Sequence, residues 1–111
     1  MAQPHLQPNQ LGNVAPLDAA AVAQTPSFAL VKGQQLEVMR LVLPAGKALP
    51  EHSAPGEITV QCLQGRVRFE ADGRRHDMQA GDFLHLPAGL PHALQALEDA
   101  SLLVTVCLLR P

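Results

Sequence analysis

The chain has 111 residues, 47% of them hydrophobic, with three Phe and no Trp or Tyr. That length holds one domain around one core, and the core must be aliphatic. A formal net charge of −2 and a pI of about 6.2 provide no basic face for nucleic acid and no polybasic surface for an anionic membrane.

Residues 1–16 are rich in Gln, Pro and Asn without periodicity and read as a tail, ordered only if something docks them. The start of the chain lacks the basic segment and unbroken apolar stretch of a secretion signal. Residues 17–24, LDAAAVAQ, have helix-forming composition, and Pro26 stops the helix. The expected division is therefore a tail with a short helix at 1–26, followed by a barrel at 27–111.

From Ser27 onward, short apolar runs alternate with turn residues. Strands are expected at 27–32, 35–43, 57–63, 66–71, 74–78, 82–86, 92–96 and 101–109. Asp72-Gly73 is the strongest hairpin signal among the intervening turns, because both central residues of a type I′ turn need positive φ. Many short strands with little helix predict an all-β, antiparallel sandwich or barrel. In 66–70, Arg66, Arg68 and Glu70 point one way and Val67 and Phe69 the other, as on a half-solvated strand. The strands at 35–43 and 101–109 are apolar on both faces and need a cover. A second subunit is the economical cover, which predicts a homodimer; the alternative is the chain's own N-terminal segment. The longest apolar run, 102–109, is broken only by Thr105 and is too short to span a bilayer. Cys62 and Cys107 lie inside apolar runs and read as buried free thiols, which makes the cytoplasm the expected compartment.

Two segments carry the candidate site. Gly46-Lys-Ala-Leu-Pro-Glu-His52 precedes a strand that ends at Gly65. Gly81-Asp-Phe-Leu-His-Leu-Pro87-Ala-Gly89-Leu-Pro-His92 stiffens the approach to a second histidine. Together these segments resemble the two motifs of the cupin superfamily. The second matches G-x5-P-x-G-x2-H from Gly81 to His92, with Ala96 where an Asn often follows. The first matches at Gly46, His52 and Gly65. The resemblance implies a jelly-roll barrel (a double-stranded β-helix), a conical interior pocket, frequent dimers and very diverse functions.

The family's usual metal site takes two His and one Glu from the first motif and one His from the second. Here those positions read His52, Ala54, Ile58 and His92. Only two ligands remain, where Zn²⁺ or Fe²⁺ sites need three or four. A weakly bound divalent metal on His52 and His92 is the most that this set implies. Glu57 could restore a ligand through a one-residue bulge after Pro55-Gly56, and Cys62 shares the inward parity of Ile58 and Val60. Gln61 and Glu51 are weaker candidates. His85 should point away from the pocket, His76 should sit on an exposed face, and His5 lies in the tail.

The expected function is binding of a small molecule at His52 and His92. Glu57, Ile58, Val60, Cys62, Leu84 and Leu86 are the accompanying ligand-binding candidates. The alternative is a metal-dependent dioxygenase, decarboxylase or isomerase in which Glu57 or Cys62 completes the metal shell.

Overall fold

The computed structural model describes residues 5–109. One short helix, α1 (Ala19–Gln24), precedes nine strands. They are β1 (Phe28–Lys32), β2 (Leu36–Leu43), β3 (Ala48–His52), β4 (Ile58–Gln64), β5 (Arg66–Ala71), β6 (Arg74–Gln79), β7 (Phe83–Leu86), β8 (His92–Ala96) and β9 (Ala100–Cys107). Asp18 caps the helix by accepting a bond from the Ala21 amide.

The strands form two antiparallel sheets, ordered β1-β2-β9-β4-β7 and β3-β8-β5-β6, as expected for a jelly roll. Eight strands lie where the apolar runs place them, and β3 is the addition. Its sequence, ALPEH, carries one large apolar residue and a proline, so it has no strand pattern of its own. It is an edge strand held by β8, and the edge is where a sheet tolerates a residue without an N–H donor.

Alternation sets the core. Ile58, Val60 and Cys62 of β4 point inward with Leu102 and Ala100 of β9, facing Val67, Phe69 and Ala71 of β5 and Leu94 and Ala96 of β8. Full burial of each larger aliphatic side chain contributes about 1.5–3 kcal/mol. Phe69 is the largest side chain in this cluster and is 1% exposed. The interior at the level of Val60 and Cys62 is packed solid, so the expected pocket does not extend along the whole barrel axis.

Two turns explain the connectivity. Asp72 and Gly73 adopt φ of 51° and 73°, the type I′ pattern, and join β5 to β6 with Ala71 opposite Arg74. Gly65 carries the chain from one sheet to the other between β4 and β5, with φ +75°. A Cβ at Gly65 would stand 2.1 Å from the Asp99 carbonyl oxygen, so the crossing works only without a side chain.

The outer face of β2 and β9 is covered at one end by the chain's own N-terminal segment. The Gln64 side-chain amide bonds both the N–H (2.6 Å) and the carbonyl (2.7 Å) of Leu17. Arg40 donates to the Ala15 carbonyl at 2.7 Å and to the Ser101 hydroxyl at 3.3 Å. Val22 of α1 and Val42 of β2 are both buried. The tail also docks on β1, with His5 Nδ1 2.7 Å from the Ala29 carbonyl and the Leu6 amide bonded to Leu30. What the chain itself leaves uncovered is the other end of this face, around Leu36 and Thr105.

Cys62 is buried as expected, but Cys107 is half-buried on the outer face, and neither is in a disulfide. Burial pushes the Cys62 thiol up from its ordinary value. A thiol-reactive dye should label Cys62 only on unfolding. Two fast-reacting thiols per native chain would contradict this packing. Because the unfolded chain ionises Cys62 first, this thiol's contribution to stability falls as pH rises past the ordinary thiol range.

Candidate functional site

Antiparallel register brings the two motif histidines together. His52 ends β3, His92 begins β8, and the two are direct Cα partners in the ladder. Their ring centroids are 4.3 Å apart with the planes tilted by 60°. The loops leading to them are joined, because the Gly89 amide donates to the Ala54 carbonyl at 2.9 Å. Pro87, Gly89 and Pro91 shape the second loop, which carries the chain from the end of β7 to the start of β8.

The two rings are anchored alike. His52 Nδ1 lies 3.1 Å from the Pro50 carbonyl, and His92 Nδ1 lies 3.0 Å from the Leu90 carbonyl. A carbonyl oxygen only accepts, so each Nδ1 donates. In the neutral ring this leaves each Nε2 with a free lone pair. Neither Nε2 has a protein partner among the described residues. Neither is sealed from solvent either, since Arg40 Nε is the buried side-chain nitrogen without a partner. His92 is buried, His52 is exposed, and the Phe69 ring stacks beneath His92 at 5.6 Å and 11°.

The accompanying candidates fall into three groups. Ile58, Val60, Leu86 and Leu84 face the interior, the first three buried and Leu84 partly so. Val60 and Cys62 are at most 1% exposed and have no surface left to meet a ligand. Cys62 does not join the histidines. It lies four residues along β4 from Ile58, about 13 Å, and its thiol donates toward the Gln64 carbonyl at 3.4 Å. Glu57 does not turn inward. Its carboxylate meets His85 Nε2 at 2.8 Å on the outer face, beside Thr59, Thr105 and Cys107. No bulge reorients it, because Ile58 pairs in register with Leu86 and Val106.

The remaining polar candidates also lie apart from the pair. Gln61 pairs with Leu103 and Phe83 on the outer side, and Glu51 borders a hollow beside the Asp72-Gly73 turn. His76 departs from expectation: it is half-buried on the inner side of β6, opposite Phe69. Phe69 itself was legible as a core residue, but nothing in its spacing marked it as the ring that stacks on His92.

A metal needs three or four protein ligands, and this arrangement supplies two. Among the described residues no three His, Cys, Asp or Glu side chains could hold a metal ion together. Ala54 and Ile58 stand where the further ligands would be expected, and neither carries a donor atom. The residues present do not fit an ordinary metal centre. No helix among the described residues is long and apolar enough to cross a membrane.

The profile of the cupin domain matches residues 39–108, more than half of the chain and both motifs. The chain belongs to the cupin family. A conserved protein of unknown function from Streptococcus pyogenes (SPY1581) is 28% identical, with 100% of this chain and 98% of that one covered at a TM-score of 0.72. A cupin superfamily protein from Desulfitobacterium hafniense shares 22% identity over 87% and 94% of the two chains, with a TM-score of 0.73. An RmlC-like cupin from Desulfovibrio desulfuricans shares 24% over 93% and 97%, with a TM-score of 0.70. Among curated proteins no sequence matches. At these identities the last two structures bear on the cupin fold alone, and the chemistry must be argued from the site.

Proposed function

We propose that this cupin binds a small molecule at the barrel mouth framed by His52 and His92, and holds any divalent metal there only weakly. The observation that carries the reading is the pairing of two identically anchored imidazoles whose Nε2 atoms have no protein partner. His92 is buried apart from this nitrogen, and its place beside a second unpartnered imidazole supports a partner from outside the chain. Ala54 and Leu90, each two residues along the chain from one of the histidines and packed against the core, add apolar surface that suits a compact ligand. A metal-dependent dioxygenase, decarboxylase or isomerase has less support, because Glu57 and Cys62 lie elsewhere.

A thermal-melt screen of a metabolite library with chelator present tests the proposal. At least one compound should raise the melting temperature of the wild type, and His92→Ala should lose that rise. A library without effect on the wild type contradicts it. In a calorimetric titration, Zn²⁺ should bind no tighter than the micromolar range; stoichiometric binding at nanomolar affinity would contradict the weak-metal part.

We also infer that the cupin acts as a homodimer in a reducing compartment, the cytoplasm. The uncovered end of the outer face supports the dimer. There Leu36 (42% exposed) and Leu109 (57%) line a hollow of about 360 Å³ together with Thr59, His85, Thr105 and Cys107. Such an exposed apolar patch marks an interaction surface. The unpaired state of both cysteines supports the compartment. Light scattering should give twice the chain mass, and Thr105→Arg should reduce it to the chain mass. A monomeric wild type overturns the dimer.

A further inference from the structure

We propose that the ligand of the His52–His92 mouth is a neutral molecule that donates hydrogen bonds from two adjacent atoms, a vicinal diol, and not an anion; this rests on the small-molecule reading above. Both Nδ1 protons are committed to carbonyl oxygens, of Pro50 and Leu90. With both rings neutral, the mouth presents two acceptors and no imidazole donor. A carboxylate or phosphate would bring lone pairs against lone pairs. A hydroxyl turns its proton toward each Nε2.

Spacing and surroundings narrow the class further. With ring centroids 4.3 Å apart, one small molecule can approach both rings at once, and a vicinal pair of hydroxyls is the compact way to bring it two donors. The buried polar side chains among the described residues are Arg40, His92 and Ser101. Arg40 and Ser101 bond one another on the outer face, so His92 is the polar side chain buried on the inner side. No buried cation is there to receive an anion. Arg74 is exposed and stands two strands from His92 across Ala71, about 10 Å away. Phe69, 1% exposed, stacks on His92 and holds the imidazole in place rather than meeting the ligand itself.

Catechol, its dimethyl ether and benzoate separate the alternatives. The readouts are the ring ¹⁵N signals of His52 and His92 at alkaline pH with chelator present, and the catechol emission, which no Trp or Tyr masks. Both Nε2 nitrogens should give the signal of an unprotonated nitrogen, and catechol should shift both. The ether, which has lost both donors, should bind about tenfold more weakly or worse, and benzoate should leave the rings unmoved. A proton on either Nε2, an ether as tight as catechol, or benzoate binding at the same rings overturns the inference. Benzoate binding would leave the small-molecule reading standing. Rings unmoved by all three probes overturn the inference as well, and the small-molecule reading falls with it only if the thermal screen is also empty.

Discussion

Gly65→Ala is expected to destabilise the protein by about 3–5 kcal/mol, a shift of the urea midpoint large enough to leave part of the population unfolded. Two costs add. Alanine at φ +75° carries the penalty of the left-handed region, about 1–2 kcal/mol. The new Cβ also meets backbone at 2.1 Å (the Asp99 carbonyl) and 2.8 Å (Ala100 Cα), and backbone cannot swing aside as a side-chain tip can. Relief means separating the β4–β5 crossing from the start of β9, whose Ala100 and Leu102 are fully buried. Gly73→Ala is the internal control. Its φ of +73° is similar, but a Cβ there meets nothing within 4 Å, so only the conformational part, about 1–2 kcal/mol, should be lost. Equal losses at the two positions would show that the close approach at Gly65 is not a determinant of the fold.

Phe69→Ala is the second large effect, expected to cost about 3–5 kcal/mol. Phe69 is fully packed between the sheets, and its ring also seats His92 by stacking at 5.6 Å. Truncation therefore leaves a cavity and frees the imidazole that the Leu90 carbonyl anchors. Phe69→Leu should recover most of the stability while still removing the aromatic stack on His92. If the mouth works as proposed, Phe69→Leu melts close to the wild type yet loses ligand affinity and shifts the His92 ring signals. A Phe69→Leu variant with unchanged His92 signals would mean that the stack does not position that histidine.

The surface ion pairs offer a contrast in scale. Arg66 bonds Asp77 with both side chains about half exposed, and the aspartate raises the arginine's pKa. Solvent screens such a pair, so Arg66→Ala should change the urea midpoint far less than either substitution above.

Most of the barrel could be read from the residues because strands with one wet face carry their alternation openly. Val67 and Phe69 against Arg66, Arg68 and Glu70 is such a case, and Asp72-Gly73 declares the turn that follows. β3 could not be read in this way. Its strand character comes from β8 beside it, and Pro50 argues against a strand wherever the edge position is unknown. Arg40 was equally silent. It occupies an outward position on an apolar strand, and only the fold shows the N-terminal segment closing over it, with Ala15 and Ser101 as its partners.

The candidate site was legible in part for the same physical reason. Spacing marked His52 and His92, because glycine and proline turns fix where those side chains emerge. It could not show that they would be ladder partners, since that depends on β3 existing at all. Glu57 and Cys62 were plausible on parity or on a bulge, both of which are local rules. The His85 imidazole on the neighbouring strand captures Glu57 outside, and distance along β4 removes Cys62. Their loss turns an eroded metal site into a pair of free hydrogen-bond acceptors.

The most direct test of this account is a crystal structure of the protein with the tightest compound from the thermal screen. Ligand donor atoms should lie within hydrogen-bonding distance of both His52 Nε2 and His92 Nε2. A ligand seated instead in the outer hollow beside Glu57 and His85, with the two motif histidines untouched, would contradict it.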